Sequence, residues 1–132
     1  AAGKNMSPAN IEGALRAACP MLGGAVAIGN DRPYNVALLA LDPDALAVFA
    51  EQHGLSGTHE ELTRHPVVLE SIAKSVEEAN SKLSRVEQIK KYTVLPTIWE
   101  PSGDELTPTM KLKRKPIDAK YAEEIDKLYA GA

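Results

Sequence analysis

The sequence predicts a small α+β domain in which helices pack on a mixed or antiparallel sheet of a few strands. Aliphatic runs of strand length stand at residues 24–28 and 34–42, and apolar residues recur at helical spacing in the flanking segments. The chain has 132 residues, of which 44% are hydrophobic, enough for one domain with a packed core. Because aromatic residues make up only 5%, that core must be mainly aliphatic.

Three helix starts in the first half of the chain share a side chain that can accept a hydrogen bond from an N–H of the first turn. They are Ser7 before Pro8, Asp42 before Pro43, and Thr58 with Glu61. Between the first two starts, the strands at 24–28 and 34–42 are joined by the turn-forming residues GNDRP. Gly54 is expected to end the second helix after His53.

The second half of the chain predicts a long helix, a strand and a helical end. The long helix is marked by apolar residues at helical spacing: Leu69, Ile72, Val76, Ala79 and Leu83. Residues 92–99 are interpreted as a strand at an edge or a bulge, because Pro96 cannot donate to a ladder. A turn at 101–104 and a short returning strand at 105–107 follow. The helical end has its apolar positions at Ile117, Tyr121, Ile125 and Leu128.

Charge, hydropathy and cysteine content argue against several classes of function. The net charge is −3, whereas a general nucleic-acid binder is usually basic overall. No apolar stretch approaches the length of a membrane span, and residues 1–12 do not have the pattern of a signal peptide. The single Cys19 cannot form an internal disulfide and fits a cytoplasmic location, with peripheral membrane association as an open alternative.

Most candidate reactive groups have a simple structural interpretation. The three histidines, His53, His59 and His65, lack the convergent spacing of a metal site and are expected near helix ends at the surface. Cys19 has no histidine nearby in sequence and is interpreted as a small buried thiol. Three carboxylate pairs are interpreted as solvated helix faces: Glu60/Glu61, Glu77/Glu78 and Glu123/Glu124.

The segment LTPTMKLKRKPI at residues 106–117 has no such simple interpretation. Four of the five residues from Lys111 to Lys115 are basic, on an acidic background. If the run is extended, Lys111, Lys113 and Lys115 point to one side. Two interpretations remain open from the residues themselves: a solvated or phosphate-binding surface, or a catalytic lysine positioned by the hairpin and the Thr-Pro-Thr turn before it.

Several stretches, in order and with matching spacing, resemble the C-terminal end of long-chain acyl-CoA synthetases of the adenylate-forming superfamily. They are AAGKNMSPANIE (1–12), GNDRPYNVALLALD (29–42), VEQIKKYTVL (86–95) with LTPTMKLKR (106–114), and KYAEEIDKLY (120–129). The resemblance implies that residues 1–132 form the mobile C-terminal domain of such an enzyme. This domain would start just after the hinge, without the large N-terminal domain that holds the ATP and carboxylate pockets.

The resemblance also implies a function for the full-length protein. It would be an AMP-forming long-chain fatty-acid–CoA ligase, which activates a fatty acid with ATP and Mg²⁺ and then transfers the acyl group to coenzyme A. The isolated domain is expected to be inactive and to bind none of these on its own. The alternatives are another adenylating enzyme, such as a fatty-acyl-AMP ligase, or a non-catalytic basic-loop module that binds phosphates or nucleic acid.

Site residues follow from the same resemblance. The near-terminal catalytic lysine of the superfamily falls on Lys111, with Thr107 and Arg114 as support on the phosphate side. The glycine that commonly precedes the lysine is replaced by Met110, as is usual in the long-chain subgroup. The loop that lines the coenzyme A tunnel falls on three residues, Gly3, Lys4 and Asn5.

Overall fold

A three-stranded mixed sheet forms the centre of the computed structural model, which describes residues 6–131. The strands are β1 (Leu22–Ile28), β2 (Asn35–Leu41) and β3 (Ile89–Leu95). Strand β2 lies in the middle, antiparallel to β1 and parallel to β3. The predicted class, an α+β domain with a small mixed sheet, is therefore confirmed.

Helices cover both faces of this sheet. Their bounds are α1 (Pro8–Ala18), α2 (Pro43–Gln52), α3 (His59–Leu62), α4 (Pro66–Ser81), α5 (Arg114–Lys120) and α6 (Ala122–Tyr129), with a 3₁₀ turn at Arg85–Glu87. None of the helices in the described part of the chain combines the length and the apolar character that crossing a membrane requires.

All seven residues of β2 are buried, and alternate side chains enter two different cores. One core lies between the sheet and helices α1 to α4, and β2 contributes Ala37, Leu39 and Leu41 to it. The other core lies under α5 and α6, where β2 contributes Val36 and Leu38. A strand buried on both faces has no polar alternation, which explains the continuous aliphatic sequence from Val36 to Leu41.

The three predicted helix starts are present with their capping hydrogen bonds. Ser7 Oγ accepts from Asn10 N, and Asp42 Oδ2 accepts from Ala45 N. The Thr58–Glu61 pair forms a complete capping box at the start of α3. Local side-chain chemistry therefore determines where these helices begin.

Four predicted elements differ from the structure. Strand β3 occupies 89–95 rather than 92–99, because the Asn80 side chain bonds both the N–H and the C=O of Ile89 and extends the strand at its start. Residues 105–107 form only an isolated bridge, between Leu106 and Leu112. The helical end is divided at Tyr121 into α5 and α6. Finally, α5 begins at Arg114, so Lys115 lies in a helix. The extended run that would point Lys111, Lys113 and Lys115 to one side is therefore not formed.

The second core depends on a close approach between β1 and Trp99. A Cβ atom added to Gly24 would lie 2.5 Å from Trp99 Cε3, which is too close for two carbon atoms. The indole is buried, and its Nε1 donates to the Tyr121 hydroxyl at 3.2 Å. The ring therefore has little freedom to move away.

We expect Gly24→Ala to lower the free energy of unfolding by about 1–3 kcal/mol, the usual cost of overpacking a core. The matched control is Gly13→Ala in α1, where the nearest atom to the new Cβ is Arg16 Nη2 at 4.0 Å. That change should instead stabilise the chain by about 0.5–1 kcal/mol, because alanine favours a helix interior. Urea unfolding of both variants measures the two effects; equal effects would contradict the proposed close contact.

Candidate functional site

Residues 105–113 form a small irregular hairpin that presents Lys111. Glu105 O accepts from Lys113 N at 2.9 Å, and Lys111 O accepts from Thr107 N at 2.8 Å. Met110 N donates back to Thr107 O at 2.8 Å, which closes a turn with Pro108 at its second position, the position that proline prefers. Met110 then has a φ of 66°, as expected for a three-residue hairpin loop that ends in a left-handed residue.

The Thr107 side chain holds the backbone of Lys111. Its Oγ1 accepts from Lys111 N at 3.0 Å and lies 3.3 Å from Thr109 Oγ1. The Lys111 side chain itself is exposed, and it has no hydrogen-bond or ion-pair partner among residues 6–131. The hairpin therefore fixes the main chain at Lys111 and leaves the ammonium group available.

The Arg114 guanidinium is bound by Glu12. Its Nη1 and Nη2 donate to the two carboxylate oxygens of Glu12, each at 2.8 Å. Glu12 is only 2% exposed, and its Oε2 also accepts from Ala27 N in the edge strand β1. These hydrogen bonds to Glu12 raise the pKa of Arg114 above its ordinary value. One carboxylate thus joins α1, β1 and the start of α5, directly after the hairpin.

A second buried carboxylate anchors the base of the hairpin. Glu105 Oε2 accepts from the Tyr121 hydroxyl at 2.6 Å and from Lys120 Nζ at 2.7 Å. Burial, followed by the hydrogen bond with Glu105, raises the pKa of the Tyr121 hydroxyl. The hairpin is therefore attached both to the start of α5, through Arg114, and to the junction of α5 and α6.

The basic run does not form one continuous positive surface. Lys113 Nζ donates to Gly103 O at 2.9 Å, and Arg114 is neutralised by Glu12. Lys111 and Lys115 remain exposed, Lys111 in the hairpin and Lys115 in the first turn of α5. Of the two lysines in the hairpin, Lys111 is the one whose ammonium has no hydrogen-bond partner among residues 6–131.

The predicted coenzyme A loop, Gly3, Lys4 and Asn5, lies outside the described residues. The structure does describe the segment that follows it. Glu87 is buried beside the start of α1, where its carboxylate accepts from Ser7 N at 2.7 Å and Asn10 Nδ2 at 2.8 Å. A negative charge at a helix N-terminus is favourable, and this one attaches α1 to the loop before β3.

Sequence reasoning missed the three buried glutamates, Glu12, Glu87 and Glu105. For Glu12 a signal was present, because it lies between Ile11 and Leu15 on the apolar face of α1. A buried carboxylate requires a partner for its charge. The basic residue nearest in sequence is Arg16, but the partner in the structure is Arg114. Glu87 and Glu105 stand in irregular segments, where no periodicity marks the buried side.

The remaining candidates behave as simple structural groups. His53 and His65 flank helices α2 and α4, and burial lowers the pKa of His59 at the start of α3. Residues 6–131 contain no group of three or more histidine, cysteine or acidic side chains placed to hold a metal ion. Cys19 is buried, as predicted, which raises the pKa of its thiol. Exposed glutamates pair along helices, as in Glu60–Arg64 and Glu78–Lys82.

Comparison with known proteins identifies the family. The model of the AMP-binding enzyme C-terminal domain matches residues 1–132, so the chain belongs to this family. It is 58% identical over 130 residues to the fadD11 protein of Mycobacterium tuberculosis, and 35% identical over 131 residues to the long-chain-fatty-acid–CoA ligase FadD15 of the same organism. The chain spans 23% and 22% of the lengths of these two relatives.

Solved structures agree with this fold. The A domain of carboxylic acid reductase from Segniliparus rugosus matches with a TM-score of 0.69 and 19% identity, covering 95% of this chain and 18% of that one. A Mycobacterium tuberculosis fatty acyl CoA synthetase matches with a TM-score of 0.54, also at 19% identity, over 93% of this chain and 19% of its own. These two likenesses confirm the fold, and the family model together with the relatives confirms the predicted resemblance to adenylate-forming enzymes.

We expect Arg114→Ala to lower the free energy of unfolding by about 1.5–3 kcal/mol, because Glu12 would stay buried with only the Ala27 N–H as partner. We expect a value near the lower end of this range, because the Arg114 side chain is 43% exposed and water partly screens its ion pair with Glu12. The control is Arg16→Ala, which removes an exposed side chain in the same region. It should change the free energy of unfolding by less than about 0.5 kcal/mol.

A double-mutant cycle with Glu12→Gln separates the pair from its surroundings. Urea unfolding of the four proteins should give a coupling energy between Glu12 and Arg114 of about 1 kcal/mol or more. Additive effects of the two substitutions would show that the ion pair does not stabilise the connection between α1 and α5.

Proposed function

We propose that this chain is the mobile C-terminal domain of an AMP-forming long-chain fatty-acid–CoA ligase. The observation that carries the proposal is the exposed Lys111 ammonium, which has no partner among residues 6–131, on a hairpin held at both ends by buried carboxylates. The family of the chain and the name of FadD15 support it. The large domain that completes the enzyme would belong to the remainder of a longer protein, since the chain spans only about a fifth of its relatives.

In the first half-reaction a fatty-acid carboxylate oxygen attacks the α-phosphorus of ATP. A new oxygen–phosphorus bond forms, the bond to the leaving pyrophosphate breaks, and negative charge develops on the phosphoryl oxygens. An ammonium group about 4 Å away stabilises each unit charge by about 4 kcal/mol at an effective dielectric constant near 20. Lys111 supplies this charge, and its flexible stem suits a domain that must deliver the charge and then withdraw it.

Thr107 and Arg114 support the phosphate side through the position of the backbone. The Thr107 hydroxyl holds the N–H of Lys111, and Arg114 attaches the end of the hairpin to Glu12. Catalysis by a fixed charge is efficient because little reorganisation is needed when the charge on the substrate develops. In this proposal, these two residues reduce the reorganisation cost and contact no substrate themselves.

In the second half-reaction the domain rotates and Lys111 leaves the phosphates. The sulfur of coenzyme A attacks the acyl carbonyl carbon, its proton is lost, and AMP departs with the electron pair of the broken carbon–oxygen bond. We assign the lining of the thiol tunnel to Gly3, Lys4 and Asn5, at the segment that leads into α1. Glycine would allow the thin pantetheine chain to approach the backbone closely.

Mg²⁺ does not fit a site within residues 6–131, which offer no cluster of ligands for it. In the proposed enzyme it enters with ATP, and no step of this domain depends on a metal ligand of its own. The buried free thiol of Cys19 is compatible with a reducing compartment, which supports a cytoplasmic location, with the protein at the membrane surface when it takes up fatty acids.

In the full-length protein, Lys111→Ala should slow acyl-adenylate formation by about 10²–10³-fold, the usual cost of removing one preorganised group from a developing anion. Transfer from preformed acyl adenylate to coenzyme A should stay near the wild-type rate, because the lysine has then moved away. Pyrophosphate release measures the first step, and thioester formation the second.

Lys115→Ala is the matched control, since Lys115 is also exposed and lies four residues along the chain. It should leave both half-reactions within about threefold of wild type, the effect expected of a distant exposed charge. Equal losses in both variants and both steps would mean that a diffuse positive surface, and not a positioned lysine, serves this enzyme.

The 132-residue chain alone should produce no acyl-CoA from fatty acid, ATP and coenzyme A. The reason is that the hairpin supplies a charge, whereas the pockets for ATP and the acyl chain would belong to the large domain. Thioester formation by the purified chain, above a Lys111→Ala control, would contradict this division of labour.

A further inference from the structure

Met110 has a backbone conformation that its residue type disfavours. Among the described residues, three non-glycine positions have positive φ: Asp31 (59°), Ser102 (63°) and Met110 (66°). Aspartate tolerates the left-handed region comparatively well, because its short polar side chain can bond the local backbone. Met110 is the only large apolar side chain of the three, so its conformation carries a free-energy cost that glycine or asparagine would reduce.

The Met110 side chain is also exposed to water. It is 57% exposed, whereas the neighbouring hairpin residue Leu106 is buried and Leu112 is half-buried. The side chain therefore gains little from packing within the described part of the chain, although its backbone is disfavoured. Met110 thus combines a disfavoured backbone conformation with an apolar side chain exposed to water. This combination, next to the candidate catalytic lysine, indicates a contact made outside this domain.

The position of Met110 identifies that contact. It precedes Lys111 directly, so the two Cα atoms lie about 3.8 Å apart and must travel together. Both residues line the same shallow depression between the hairpin and the edge strand β1. If Lys111 approaches phosphates held by a large domain, as the proposed function requires, Met110 must be carried against the surface beside them.

We propose that Met110 is a reversible apolar anchor, buried against the large domain in the adenylate-forming conformation and exposed again when the domain rotates. This deepens the proposed function and rests on it. The partner surface would be an apolar patch beside the phosphate site in the same longer protein. An unbranched thioether suits this role, since it adapts to irregular gaps each time the contact forms. Met110 is thus a positioning residue that acts through Lys111.

Three substitutions in the full-length protein separate the anchor from the strained backbone. Met110→Leu keeps an apolar side chain and should form acyl adenylate within about threefold of wild type. Met110→Asn suits the left-handed conformation but loses the apolar contact, and Met110→Gly removes the side chain. Both should slow adenylate formation about tenfold to a hundredfold, the effect of losing one buried side chain of this size in that step.

Transfer of the acyl group from preformed acyl adenylate to coenzyme A should be unchanged in all three variants. Wild-type adenylation in Met110→Asn, or equal slowing of both half-reactions, would overturn the anchor. Lys111→Ala is assayed in parallel to keep the two proposals distinct. If Lys111→Ala forms acyl adenylate at the wild-type rate, the proposed function fails. If Lys111→Ala is slow but Met110→Asn and Met110→Gly form acyl adenylate at the wild-type rate, only the anchor fails.

Methionine oxidation gives a second measurement that does not depend on activity. Hydrogen peroxide transfers one oxygen atom to the thioether sulfur and leaves water, and the rate depends on access to the sulfur. In full-length protein with a non-hydrolysable ATP analogue and fatty acid, Met110 should oxidise at least about fivefold more slowly than with a non-hydrolysable acyl-adenylate analogue and desulfo-coenzyme A, which has no thiol to consume the peroxide.

Peptide mass spectrometry resolves Met110 from Met21, which is 6% exposed and should resist oxidation in both mixtures. Equal oxidation of Met110 in the two states would overturn the proposal, since the side chain would then not be buried when the adenylate forms.

Discussion

The carboxylate of Glu12 is the interaction on which the arrangement of the hairpin depends. It is buried, and it accepts two hydrogen bonds from Arg114 and one from the backbone of β1. A carboxylate moved out of water is costly unless its oxygens are satisfied, so the guanidinium has a strong preference for this one place. Since Arg114 begins α5 directly after the hairpin, the preference of one charge positions Lys111 relative to α1.

The basic residues of the run at 111–115 have different partners and therefore different roles. Arg114 is matched in geometry by a carboxylate, which its planar fork can bind with two parallel hydrogen bonds. Lys113 bonds a backbone carbonyl, and Lys111 is left without a partner in the described chain. Among these three cations, Lys111 therefore differs from the bound ammonium of Lys113 and the bound guanidinium of Arg114, because no group in the described residues neutralises its charge.

The sheet makes this arrangement possible by separating two cores. Helices α1 to α4 pack on one face, and the hairpin with α5 and α6 packs on the other, through Trp99 and Tyr121. Glu12 extends from the first layer, past the edge strand β1, to reach Arg114 of the second. The two layers are therefore connected by a directional ion pair as well as by apolar packing, which is non-directional and alone would permit small shifts of α5.

Much of the fold follows from local sequence. The caps at Ser7, Asp42 and Thr58 determine helix starts because the bonded groups lie within one turn of each other. The aliphatic runs locate β1 and β2, and resemblance to a family identified Lys111 as the candidate catalytic residue. Each of these signals is either short in range or carried by an uninterrupted stretch of the chain.

Other features were decided only by tertiary structure. Glu12 and Arg114 are separated by 102 positions, and Ser7 and Glu87 by 80, so no local pattern predicts their pairing. The start of β3 likewise depends on the Asn80 side chain from α4, which bonds the N–H and the C=O of Ile89. The physical reason is common to all of them: a buried polar group is defined by the partner that satisfies it, and that partner is brought near only when the chain folds.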